Sequence, residues 1–132
     1  MIALTNSVVR VLAPGDALIF DTTIEKSKDC SFCHRTNTAS VNINDGRNHI
    51  LHFTANIGSS TADSVAELTI RQSGEAMIGG VIESETTAAG GLNNVSVALP
   101  VIGCCSRYSQ ITIINTGDTT VNVDTGAVLM IN

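Results

Sequence analysis

Apolar and polar residues alternate along much of this chain with the two-residue period of β-strands, and the runs are separated by turn residues at short intervals. Residues 49–57 show it best. Leu51, Phe53, Ala55 and Ile57 fall on one face, and Ile50, His52, Thr54 and Asn56 on the other. The first set predicts the core face. Similar patterns predict strands over 4–12, 17–23, 39–44, 65–71, 76–84, 95–102, 109–115, 119–123 and 127–131. Turns are expected at Ala13-Pro14-Gly15-Asp16, at Gln72-Ser73-Gly74-Glu75 and at Thr116-Gly117-Asp118. Asp45-Gly46 predicts a hairpin joining the strand before it to the strand after it. Gly79-Gly80 interrupts its strand and predicts a bulge or a close backbone approach. No window of helical length carries a 3.6-residue period, and no capping box precedes an apolar run.

About nine or ten short strands at this spacing imply an all-β antiparallel jelly-roll sandwich, a single domain over residues 1–132. Two strands are apolar on both faces. Ile114 opposes Ile111 and Ile113, and Val128 and Met130 oppose Ala127, Leu129 and Ile131. A strand apolar on both faces is covered on both faces, which predicts self-association.

Composition sharpens this. Charged residues are 14% of the chain and aromatic residues 3%, with no Trp, so Val, Ile, Leu and Ala must build the core. A surface this poor in charge suits coverage by copies of the same chain. The net charge of −5 and the pI near 4.9 argue against a nucleic-acid partner, which needs a clustered basic face. No apolar run is long enough to span a bilayer, and Met1 to Asn6 do not read as a signal peptide. The chain is expected to be made in a cytoplasm, with no membrane partner.

Chemistry concentrates in Cys30-Ser31-Phe32-Cys33-His34, with one counterpart downstream at Cys104-Cys105. The first segment matches the haem c attachment pattern, but that chemistry requires export. Cys30, Cys33, Cys104 and Cys105 could hold a structural zinc, with His34 able to replace one thiolate. They could instead form disulfides, joining the 30/33 segment to the 104/105 segment, because vicinal bridges are strained. Four free thiols are the third alternative. In the first two cases the loop over 24–36 is clamped to the turn over 103–107. His49 and His52 face opposite sides of one strand and form no metal pair. No nucleophile elbow, calcium loop or phosphate loop is present, so no catalytic residue and no cofactor is assigned.

Several segments carry a resemblance in order along nearly the whole chain. They are Pro14-Gly15-Asp16-Ala17-Leu18-Ile19-Phe20-Asp21, residues 30–38, His52-Phe53-Thr54-Ala55-Asn56-Ile57-Gly58, Leu92-Asn93-Asn94-Val95, Cys104-Cys105 and Ile111-Thr112-Ile113-Ile114-Asn115-Thr116-Gly117. Together they resemble the tumour necrosis factor and complement-head family of small jelly rolls. Within it they are most similar to C-terminal domains of spore-surface collagen-like proteins and to small phage and prophage proteins of gut Firmicutes. The resemblance implies a homotrimer with one sheet facing the threefold axis. Where the family carries an aromatic residue this chain has His49, which implies polar contact there. The expected role is a structural virion protein of a bacteriophage, a capsid decoration or a head-fibre or tail-fibre trimer. Its partners would be itself and the major capsid protein or other virion proteins. The alternatives are a glycan-binding adhesion module acting through residues 58–64 and 85–94, and a cysteine-cross-linked filament or spore-coat subunit.

Overall fold

A computed structural model describes residues 1–103 and 108–132, and these are all strand, turn and loop. Among the described residues twelve strands form, in chain order. They are β1 (Ile2–Thr5), β2 (Arg10–Leu12), β3 (Thr22–Lys26), β4 (Phe32–His34), β5 (Val41–Ile43) and β6 (His49–Ser59). Then come β7 (Ser64–Gln72), β8 (Glu75–Thr86), β9 (Asn93–Val101), β10 (Ser109–Asn115), β11 (Val121–Val123) and β12 (Val128–Ile131).

The pairing is that of one long hairpin rolled onto itself. Among the eight principal strands, β1 pairs with β12, β5 with β10, β6 with β9 and β7 with β8, so first meets last and the middle two form the tip. Two further pairings, β12 with β6 and β10 with β7, close the roll into two sheets. The result is a seven-stranded sheet (sheet A, ordered β2-β11-β6-β12-β1-β3 with β9 on the other side of β6) against a five-stranded sheet (sheet B, β4-β5-β10-β7-β8). This is a jelly roll.

The core is the space between the sheets, and the alternation identifies its lining correctly. Leu51, Phe53, Ala55 and Ile57 of β6 meet Ala66, Leu68 and Ile70 of β7 and Ile111 and Ile113 of β10, all buried. Phe20 and Phe53 are the largest fully buried side chains. Each removes enough apolar surface to contribute about 1.5–3 kcal/mol relative to exposure.

Four local expectations are corrected. The segment 4–12 is not one strand. It breaks after Thr5 because the buried Asn6 side chain takes over the hydrogen bonding, donating to Val8 O and Asp124 O and accepting from Ala127 N–H. The segment 17–23 forms single bridges, Ala17 to Ile114 and Phe20 to Thr38, because it pairs first with one neighbour and then with another. The strand begins later, as β3. Asp45-Gly46 does not close a hairpin. β5 lies in sheet B and β6 in sheet A, so this turn, with Gly46 at φ 66°, carries the chain between layers. The cysteine segment is not wholly loop, since Phe32–His34 pairs with β5 as an edge strand. Gly79-Gly80 behaves as expected. The β7–β8 register shifts between Thr69 and Arg71, and a Cβ on Gly80 would sit 2.9 Å from Ile70 O.

Candidate functional site

Charge is missing from the central strands of sheet A and dense on sheet B, while the edge strands β2 and β3 of sheet A carry Arg10, Glu25 and Lys26. The strands β1, β6, β9, β11 and β12 contain no Asp, Glu, Lys or Arg at any position. Their outward residues line up in rows across sheet A. One row runs Ala3, Met130, His52, Ala98, and the next runs Thr5, Val128, Thr54, Ser96. Small side chains keep the face flat. Cross-strand bonds tie its polar groups to one another, with Thr54 Oγ1 3.1 Å from Ser96 Oγ and Asn94 Nδ2 donating to Asn56 Oδ1 at 3.0 Å. Ile50 is 46% exposed on this face, and Val128 and Met130 are half-buried.

Sheet B presents the opposite character. Glu67 and Arg71 of β7 and Glu75, Glu83 and Glu85 of β8 are all exposed or half-exposed. Glu67 stands directly opposite Glu83 in the ladder, an arrangement that costs stability unless solvent screens it. Thr116 Oγ1 donates to Glu67 Oε1 at 2.6 Å and holds one of the two acids in place. Charges opposed in this way require water, so this face stays wet.

The cysteine segment sits at the far edge of sheet B. Phe32 points into the core and packs edge-on against His49, ring centres 4.9 Å apart. Cys33 points outward from the edge strand, and Cys30 lies in the turn before it. Both are exposed, and among the described residues neither is bridged. His34 turns back on the chain, with Nδ1 3.0 Å from Ser40 O and Nε2 3.1 Å from Phe20 O. Both ring nitrogens thus face backbone carbonyl oxygens. Cys104 and Cys105 lie outside the described residues, and so does their pairing with Cys30 and Cys33. Among the described residues, no group of three or more His, Cys, Asp and Glu side chains is placed to share a metal ion.

His49 and Asp45 form a pair that the histidine spacing alone did not reveal. His49 Nε2 lies 2.9 Å from Asp45 Oδ1, and the Arg47 N–H donates to the same oxygen at 3.0 Å. Burial pushes the Asp45 carboxyl up, but these hydrogen bonds outweigh it and hold the group below the usual aspartate value. The only warning in the sequence is the i, i+4 spacing across a Gly turn. At the other end of the molecule Asp21 is held low chiefly by the Thr22 hydroxyl, against some desolvation, with help from Ser7 and Arg10. Arg10 pairs with Asp21 at 2.9 Å.

The segments expected to bind glycan, residues 58–64 and 85–94, are mostly exposed, and some of their groups are engaged within the chain. Asn93 Nδ2 donates to Ser84 Oγ and Glu85 O. Gly91 lies directly over Gly58, where a Cβ would come 1.7 Å from Gly91 O.

No protein-family model matches the sequence, and no curated protein is similar to it. Solved structures share its general shape. A family 35 carbohydrate-binding module from Clostridium thermocellum has a TM-score of 0.49 at 10% identity, covering 97% of this chain and 97% of that one. PRD1 vertex protein P5 has 0.49 at 14%, covering 99% and 97%. A family 35 carbohydrate-binding module from an environmental isolate has 0.48 at 13%, covering 100% and 93%. At identities this low the likeness says nothing about ligand or role. Among the described residues, no helix is long and apolar enough to cross a membrane.

Proposed function

We propose that this protein is a self-assembling structural module of a bacteriophage particle, and that the outer face of sheet A is where its copies meet. The observation that carries the assembly reading is the complete absence of charged residues from β1, β6, β9, β11 and β12, set against the charged outer face of sheet B. A face that stays in water gains solubility from charge. A face that is covered is penalised for each charge it buries unpaired. The strands β1, β6, β9, β11 and β12 follow the second rule and sheet B the first, and Glu25, opposite Ala3 on β3, marks one limit of the uncharged region. The homotrimer implied by the family resemblance fits this partition, with sheet A turned toward the axis and sheet B outward. Such a module would act by position and self-contact, in the virion, without catalysis and without nucleic acid. The virion setting itself rests on the resemblance.

Native mass spectrometry tests the assembly. The expected mass is three times the chain mass of 13.8 kDa. Ser96→Glu, at the β9 end of one row, and Met130→Glu, inside the other, are expected to give monomer with an unchanged circular dichroism spectrum. Wild-type monomer at every concentration would overturn the reading.

The exposed thiols of Cys30 and Cys33 favour a second reading, a coat or filament subunit joined covalently to its neighbours. Non-reducing electrophoresis separates the two. A ladder that collapses with reductant supports the second, and a single band at the chain mass supports the first.

A further inference from the structure

The two sheets end in five free edges, namely β2, β3 and β9 in sheet A and β4 and β8 in sheet B. A free edge offers unpaired N–H and C=O groups to any extended chain, and proteins ordinarily blunt it with charge, proline, a bulge or brevity. Four of the five are blunted here. β3 has a register shift against β1 and carries Glu25 and Lys26. β8 is broken at Gly79-Gly80 and carries Glu83 and Glu85. β9 carries Pro100 and lies beside β8. β4 is three residues long, and His34 folds back from it onto the chain.

β2 is different. It is equally short, but it has no proline and no bulge. Its single charge, on Arg10, is compensated by Asp21. Val11 within it is 64% exposed, and Val8 and Val9 just before it are 50% and 53% exposed. A groove of about 660 Å³ runs beside the strand. Its near wall is Val9, Arg10, Val11 and Leu12, four residues in succession. The face of a strand shows only alternate residues, so a wall made of consecutive ones is an edge. The far wall is Asp16, Ala17, Ile19 and Ala39, where the two alanines leave the space open.

We propose that the β2 edge is a strand-addition site, and that its occupant is an extended, lysine- or arginine-bearing segment of a different polypeptide. Four residues of edge are about 13 Å long at about 3.3 Å per residue, enough to pair with a short extended peptide. Apolar β-branched side chains at alternate positions of that peptide would enter the groove against Ile19 and Val11. The charge argument selects the partner. Asp16 and Asp21 outnumber Arg10 at this site, so the groove prefers a neutral or basic segment. The chain's own net charge of −5 makes a second copy the poorer occupant.

The test uses the full-length protein, labelled for amide exchange by NMR, and the peptide acetyl-Lys-Val-Thr-Val-Thr-Val-Lys-amide. Two controls accompany it, one with alternate backbone nitrogens methylated and one with both lysines replaced by glutamate. At millimolar peptide, exchange at residues 9–12 is expected to slow by about tenfold or more with the first peptide. The effect should be lost with the methylated peptide and weakened with the acidic one. Val11→Pro should abolish it, and Val11→Lys, which keeps the backbone donor, should weaken it if the proline variant does not fold. No slowing with the lysine peptide, equal slowing with the methylated one, or slowing confined to β3 or β9 would each overturn the proposal.

Discussion

Two buried asparagines do more for this fold than their short side chains suggest. Asn115, at the end of β10, is 1% exposed. It donates from Nδ2 to Leu12 O at 2.9 Å and to Thr119 O at 2.8 Å, and accepts from the Gly117 N–H at 3.0 Å. It thus ties β2, the turn after β10 and its own strand together. Asn115→Ala leaves two buried carbonyls and one N–H without partners. At about 1–3 kcal/mol for each group left unsatisfied and dry, the expected loss is about 2–4 kcal/mol after partial hydration, read as a lower urea midpoint with an unchanged slope. The carboxylates set the acid limit. Asp45 and Asp21 both sit below the ordinary aspartate value when folded. Groups lowered by folding stabilise the protein fully above their unfolded value, about 3.9, and lose that contribution as pH falls through the folded value. Stability should therefore be flat near neutrality and fall below about pH 4. Asp45→Asn should lower neutral-pH stability and flatten that fall, measured as urea midpoints across the acid range; an unchanged slope would remove Asp45 from the account.

Among elements, the loop between β8 and β9 is held by an absence of side chain. Gly58, in the last turn of pleat of β6, lies under Gly91, and Gly90 N–H donates to Ser59 O while Thr86 Oγ1 accepts from Ser59 N–H. Any Cβ at 58 collides with backbone, which cannot rotate away as a side-chain tip can. Gly58→Ala is expected to lift the loop over residues 87–91 and to cost about 1–3 kcal/mol, seen as a lower unfolding midpoint together with faster amide exchange at Gly90. Gly74→Ala is the matched control: open space surrounds it, so any cost there reflects its φ of 86° alone. The alternation of the strands was legible because period two places every second residue in the core, and β6, β7 and β10 follow it in their buried sets, with Ile50, Val65 and Ile114 the apolar residues left on the outer faces. The destination of each strand was not. Asp45-Gly46 has the chemistry of a hairpin turn, but the same chemistry serves a crossing between layers, and only the pairing of β5 with β10 tells the two apart.

For the whole molecule, the asymmetry of charge between the sheets has a cost that can be measured. Glu67 and Glu83 face each other on sheet B, and Glu83→Gln removes the repulsion. A gain of about 0.2–1 kcal/mol is expected, largest at low salt and fading as salt screens the pair. Because sheet B lies away from the proposed contact, the same substitution should leave the native mass unchanged. A change in oligomeric mass with Glu83→Gln would place the contact on the wrong face.

What this sequence determined alone is what depends on neighbours along the chain: strand-forming stretches, turn chemistry, the inward set of apolar residues and the shortage of charge. Period and composition are local, so they survive without coordinates. What only the tertiary structure decided is everything that depends on which strands meet. The uncharged rows of sheet A draw on Ala3, Ser96 and Met130, residues far apart in sequence, and become one face only when β9 and β12 flank β6 and β1 joins the far side of β12. The split of the first expected strand, the capture of His34 by two carbonyls and the bare edge of β2 have the same origin. Each arises where a side chain or a strand edge meets a partner chosen by the roll of the hairpin, and that choice is made by the burial of the core as a whole.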